Sequence, residues 1–304
     1  MTDKTSELDQ YLEQHLQEYL QEMTRLCNQP SVSAQGSGVR ECADLVAELL
    51  RSRGISAQVM ETGGHPVVIG EYGAGPQTLL YYNHYDVQPP EPFDLWDSPP
   101  FEATLRDGKL FARGIADDKG EIVSRLAAFD AVRAVHGEPP CRVKFVIEGE
   151  EEIGSPHLDA IIKDQRDRLA TDVCVWESGG LDIDDRPFMY LGLRGIVSVT
   201  LRIRTITNDA HSGMYSYLPN AAWRLVWALS TLKDQQERIL IPGFYDDVRP
   251  PTARQRELLA SMPSLDEEQK AFYKISRFAG NLSGQALKES VFLPTCTING
   301  LSSG

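Results

Sequence analysis

The sequence predicts an α/β fold with a central, mostly parallel sheet, followed by a smaller α+β domain. Three observations predict it. Short apolar runs of strand length alternate with apolar stripes of helical period up to about residue 190. Residues able to carry chemistry fall at the carboxyl ends of those runs, where open α/β sheets place their ligands. Beyond Tyr190 the texture changes, which puts a boundary near Leu191 and domains over 1–190 and 191–304.

The elements follow in order. Leu8, Leu12, Leu16, Tyr19, Leu20 and Met23 make a helical stripe from Leu8 to Cys27, closed by Pro30. Val39, Cys42, Ala43, Val46, Leu49 and Leu50 make a second, ending near Gly54. Ala57–Met60, Val67–Tyr72 and Leu79–Tyr82 are short apolar runs punctuated by glycines and predict strands. Gly120 to Val135 is helical again, with Ile122, Val123, Leu126, Phe129 and Val132 apolar. Val143–Ile147 is a strand. Ser155-Pro156 reads as an N-cap and first-turn proline of a helix through Leu158 and Ile161, and Val173–Trp176 is a last short strand. In the second domain Val197 to Ile203 alternates as a half-exposed strand does, Asn220 to Leu232 is a helix, and VFLPTCTI is a further strand.

Bulk composition narrows the function. The chain has 304 residues, 41% apolar and 24% charged, ordinary for a globular protein with ample core. A formal net charge of -14 argues against nucleic acid or an anionic membrane as partner, since both need basic surface. It is compatible with a metal site, because carboxylate ligands add to the same excess. MTDKTSELDQ is polar and acidic, and no apolar run reaches membrane-spanning length. Cys27, Cys42, Cys141, Cys174 and Cys296 are scattered and odd in number, which predicts reduced thiols in a cytoplasmic protein.

Four clusters of metal-capable side chains lie at strand ends. His84 and Asp86 follow the Leu79–Tyr82 strand, and Asp117 and Asp118 precede the Gly120 helix. Glu150, Glu151 and Glu152 follow the Val143–Ile147 strand, and Glu177 follows Val173–Trp176. Each has a bland reading as well. His-x-Asp can be a loop hydrogen bond, Asp-Asp a helix cap, and three glutamates a solvated run. Composition and spacing leave both a hydrolytic metal site and that set of unrelated loop residues open.

In order along the chain, NHYDVQ, DLWDSPPF, LFARGIADDKGE, IEGEEEIGS, YLGLRG and DAHSGMY resemble the M20 metallopeptidases, and within them the dipeptidase branch. The likeness runs from about Leu8 to Gly304. It implies a zinc-exopeptidase-like catalytic domain with an inserted lid domain that dimerises. It also implies two divalent ions, Zn²⁺ or Mn²⁺, and small peptides as substrate. Carried over residue by residue, His84, Asp117, Glu152 and Glu177 are metal ligands, with Asp117 bridging and a cis bond to Asp118. Glu151 is the general base and Glu150 a bystander. Asp86 holds the His84 ring, which period two in an extended strand allows. His211 is implied to stabilise the oxyanion, in the dimer partner's cleft. A deacylase of N-acyl amino acids and a non-catalytic metal-binding or dimerisation module are the competing readings. Retention of Glu151 argues against the second, because a structural site needs no base.

The family pattern departs at the end of the chain. The resemblance places TINGLSSG inside the lid, so the rest of the lid and the closing part of the catalytic domain are expected to follow. Those parts would carry a second histidine ligand and the groups that hold the substrate carboxylate. His15 and His136 on predicted helices, His65 in a GGHP turn and His157 at a helix start do not fit that ligand role.

Overall fold

The first helix, α1 (Thr2–Asn28), stops two residues before Pro30, as the ring of that proline requires. The computed structural model describes residues 2–177, 179–181 and 186–303. After α1 come α2 (Val39–Ser52), β1 (Ser56–Met60), β2 (Val67–Tyr72) and β3 (Thr78–His84). A hairpin follows, β4 (Thr104–Arg106) and β5 (Lys109–Phe111), then α3 (Lys119–His136) and β6 (Arg142–Glu148). α4 (Leu158–Asp164), α5 (Arg166–Leu169) and β7 (Val173–Val175) complete the main layer, with a small hairpin of β8 (Gly180–Leu181) and β9 (Pro187–Phe188) beyond it. The chain divides into two compact units, one ending at Leu193 and the other beginning at Arg194.

The main sheet has the order β1-β2-β6-β3-β7. β2 is antiparallel to both β1 and β6, while β6, β3 and β7 pair in parallel, so four of the five strands share one direction. The carboxyl ends of β3, β6 and β7 therefore open on one side. Alternation along the strands fills two layers. Val68, Val143, Phe145 and Ile147 pack with Leu26 of α1, Val46 and Leu50 of α2, and Ile122 and Leu126 of α3. Val67, Ile69, Leu80, Tyr82 and Val146 meet Leu158 and Ile161 of α4 on the opposite face. Each fully buried aliphatic side chain here contributes about 1.5–3 kcal/mol. Arg53, after α2, ties the helical layer together by donating to Glu22 of α1 at 2.6 Å and Asp130 of α3 at 2.8 Å.

One local expectation changes and one element is new. Ser155 has a positive φ of 49° and is not the N-cap of α4; its Oγ donates to Glu148 instead, and α4 starts at Leu158. The β4–β5 hairpin was not legible as a strand pair. Its two-residue turn, Asp107-Gly108, has φ of 50° and 75°, the left-handed pair that Asp-Gly favours.

The second unit contains α6 (Ala221–Leu229), α7 (Ala253–Ser261), α8 (Asp266–Tyr273) and α9 (Gly284–Glu289). Asn220 caps α6 by accepting from Trp223 N at 3.1 Å, and Thr252 and Gln255 form a capping box on α7. The expected strands at Val197–Ile203 and in VFLPTCTI are not formed among the described residues, where the second stretch starts as a 3-10 turn, Ser290–Phe292. Alternation marks a face that a sheet could bury, but a strand exists only when another backbone pairs with it. No described segment does so here, and Ile196 and Val197 stand about nine-tenths exposed, at 91% and 88%. Among the described residues, no helix is long and apolar enough to cross a membrane.

Candidate metal centre

β3 delivers the first group. Leu80 and Tyr82 face the α4 layer, and the same parity carries to His84, which ends the strand opposite Glu148 of β6. His84 and Asp86 are buried. The ring Nδ1 lies 3.0 Å from the Asp86 carbonyl oxygen and 3.3 Å from its Oδ1. These acceptors hold a proton at Nδ1 and leave Nε2 as the nitrogen available to a metal. The Asp86 carboxylate also accepts from Glu151 N at 3.2 Å and Glu152 N at 3.1 Å, so it fixes the histidine and the glutamate loop together.

The loop before α3 brings two aspartates across a cis peptide, Asp117–Asp118. Asp117 Oδ1 lies 2.8 Å from His84 Nε2, while its side chain is 72% exposed. Asp118 turns inward, its Oδ2 accepting from Asn83 Nδ2 at 2.7 Å and from His84 N at 3.0 Å. Glu177 follows β7, and its Oε2 stands 3.7 Å from His84 Nε2. That oxygen is buried and no donor reaches it. Its backbone neighbour is well held: Arg125 of α3 donates to the Trp176 carbonyl at 3.0 Å, and the Trp176 ring stacks on Tyr82 with centroids 3.8 Å apart. Among the described residues, His84, Asp118 and Glu177 each place a ligand atom within 4.8 Å of the others.

The three adjacent glutamates separate. Glu150 is buried and accepts from His65 N at 2.9 Å, and its Oε2 lies 2.8 Å from His157 Nδ1. It stands outside the group of metal-capable atoms, and it is not part of a solvated run, because the turn after β6 folds it inward under the 61–65 loop. Glu151 and Glu152 open the 3-10 turn Glu151–Ile153 on the Asp86 carboxylate. Glu152 Oε2 accepts from Gln88 Nε2 at 2.8 Å.

Electrostatics report a site built for a cation. Burial pushes Glu177 up to about 8, with the charges of Asp118, Glu151 and Asp117 adding to it against His84. Burial also lifts Asp118 to about 7, against the Asn83 hydrogen bond and the His84 charge. Glu151 is raised by burial and by its acidic neighbours. Burial pulls His84 down, but its hydrogen bonds to Asp117 and Asp86 and the surrounding carboxylates outweigh this and carry it to about 11. One imidazole and several carboxylates without thiolate suit a hard or borderline divalent ion. The orphaned Glu177 oxygen is what such an ion would satisfy.

The structure thus gathers His84, Asp86, Asp117 and Glu177, and it adjoins Glu151 and Glu152 through Asp86. His211 belongs to the second unit, where its Nδ1 accepts from Gly213 N at 3.1 Å and caps the turn Ser212–Ser216. Sequence reasoning left Asp118, Gln88, Tyr82 and Glu148 without roles. Gln88 and Tyr82 had a signal, since both continue the two-residue period of His84 and Asp86; Glu148, which accepts from Tyr82, had none.

Comparison with known proteins places the chain in a family. The profile of Peptidase family M20/M25/M40 matches residues 80–291. Beta-Ala-His dipeptidase of Mus musculus is 29% identical over 273 residues, 84% of this chain and 56% of that protein. Cys-Gly metallodipeptidase dug1 of Schizosaccharomyces pombe is 32% identical, over 74% of this chain and 52% of its own length. The chain spans about half the length of these curated relatives. The crystal structure of an M20 family metallo-carboxypeptidase, Sso-CP2 from Sulfolobus solfataricus, superposes with a TM-score of 0.86 at 34% identity, covering 94% of this chain and 66% of that one. With strand ends, ligand-type residues and family profile coinciding, the chain belongs to peptidase family M20/M25/M40.

Proposed function

We propose that this chain carries the metal-binding part of a dinuclear metallodipeptidase that hydrolyses the amide bond of dipeptides or small peptides. The observation that supports it most directly is the buried, donorless Glu177 Oε2 facing His84 Nε2. His84, Asp117, Glu152 and Glu177 would hold two divalent ions, Zn²⁺ or Mn²⁺, and Asp118 fixes the backbone of His84. When bound, the ions would supply an acidified water and a polarised scissile carbonyl. Asp86 keeps the His84 ring in one tautomer and direction. Glu151, its carboxylate raised by burial, accepts the water's proton and returns it to the leaving amine. His211 is read as an oxyanion donor, acting in a homodimer formed through the second unit, whose α6 exposes Trp223 and Trp227. The five cysteines are all free thiols, in keeping with a cytoplasmic protein.

Substitution in the intact enzyme tests these roles. Glu151→Gln should retain metal content while turnover falls by about 10²–10⁴-fold, the usual contribution of a positioned acid–base group. Glu152→Gln should lose metal together with activity, because an amide oxygen is a weaker ligand than a carboxylate. The substrate panel should pair dipeptides with N-acyl amino acids. Faster cleavage of the acyl amino acids would move the reading to a deacylase, and full activity in Glu151→Gln would remove the base assignment.

A further inference from the structure

Lys119 has no part in the chemistry above, yet it is fully buried one residue after Asp118. Its Nζ donates to the carbonyl of Gln29 at 2.6 Å and to that of Leu26 at 3.1 Å. Leu26 lies in the last turn of α1, where carbonyls lack helical partners and a cation is favoured. The lysine stem passes beneath Gly114, where an added Cβ would stand 3.2 Å from Lys119 Cδ, and Lys119 N donates to Gly114 O at 2.9 Å. The loop carrying Asp117 and Asp118 is therefore anchored from below to the end of α1.

The chain leaving α1 makes a second attachment. Ser31, also fully buried, donates from Oγ to the Tyr85 carbonyl at 2.6 Å, and its own carbonyl accepts from Val87 N at 3.0 Å. Val32 then bridges in parallel to Val87. Tyr85 and Val87 alternate with His84 and Asp86, so these bonds grip the strand extension by its backbone while its functional side chains point elsewhere.

We propose that residues 29–31 form a strap that sets the spacing between the two ligand-bearing loops, with Lys119 and Ser31 as positioning residues of the metal centre. The strap joins the His84 segment at one end and the Asp117–Asp118 segment at the other through four hydrogen bonds, all to main-chain atoms of the strap, α1 or the strand extension. The inference rests on the metal-centre reading for its ligand but not for its geometry, and the two can fail separately.

The experiment compares Ser31→Ala, Lys119→Met and, as a control for simple destabilisation, Leu49→Ala in the α2 core. Each is measured for Zn²⁺ affinity by chelator competition, for thermal unfolding, and for hydrogen exchange of peptides spanning 83–88 and 114–120. Loss of an outer support of a metal site weakens binding by about 10–100-fold. Ser31→Ala and Lys119→Met should show at least the lower figure, and exchange should accelerate in both peptides. Leu49→Ala should lower the melting temperature with Zn²⁺ affinity little changed. If Lys119→Met does not fold, Ser31→Ala decides the matter. Should the parent chain bind no Zn²⁺, the metal reading fails and the exchange data alone judge the strap. Unchanged exchange in both loops, or Zn²⁺ affinity that falls only in step with stability as in Leu49→Ala, would overturn it.

Discussion

Replacing Glu150 by alanine separates a buried strut from a solvated acidic run. In the folded chain Glu150 accepts from His65 N and faces His157 Nδ1 from a site 4% exposed. Stranding the part-buried His65 N–H costs about 1–3 kcal/mol. The His157 side chain is 38% exposed, so its pairing adds only about 0–1 kcal/mol after solvent screening. The sum is about 1–4 kcal/mol. For a unit of this size each kcal/mol moves the melting temperature by roughly 2–4 °C, so circular dichroism should record a fall of roughly 2–16 °C. Glu150→Gln keeps an oxygen for His65 N and should lose about 1 kcal/mol or less. A surface run would shift stability by less than about 0.5 kcal/mol in either case. A melting temperature for Glu150→Ala indistinguishable from the parent would refute the strut.

Other perturbations reach different parts of the molecule. Gly120→Ala, which helix propensity alone would favour by about 1 kcal/mol, should destabilise, because its Cβ would sit 2.0 Å from the Ile115 carbonyl oxygen; a raised melting temperature would contradict this. Zn²⁺ at about 100 times its Kd should stabilise the parent chain by about 2.7 kcal/mol, and His84→Ala should abolish most of that gain in the same thermal assay. N-ethylmaleimide at neutral pH should label the exposed Cys174 before Cys27 and Cys42, as read by peptide mass; burial shields the latter pair and raises both, Cys27 to about 11.

Much of the first unit was legible because its signals are local. The α1, α2 and α3 stripes and the β2, β3 and β6 runs carry their own period, and each survives packing because that period matches the layer it faces. The strand-end rule marked the clusters around His84, Asp117, Glu151 and Glu177, and only the resemblance to the M20 metallopeptidases chose among the members of each. What escaped depends on distant partners. Nothing near Lys119 in sequence announces Gln29, ninety residues away, and Asp118 turns inward only because Asn83 and the His84 amide meet it. The burial of Glu150 was not legible because three identical residues give no cue as to which one a turn folds under. The strands expected near Val199 and Cys296 failed for the complementary reason, since alternation describes one face of a ribbon and is silent on whether another ribbon lies beside it.

The register between β3 and β6 sets where this protein tolerates changes in length. Tyr82 stands opposite Val146, and His84 opposite Glu148, in parallel pairing. One residue inserted into β3 between Tyr82 and His84 would send every later side chain of that strand to the opposite face. His84 would then point into the helical layer, and it would no longer stand opposite Glu148. No compensating point substitution restores such a shift. The Asp107-Gly108 turn is exposed, and a side chain built on Gly108 meets nothing within 4 Å. A tag or grafted peptide belongs there, whereas residues 78–88 admit no change in count.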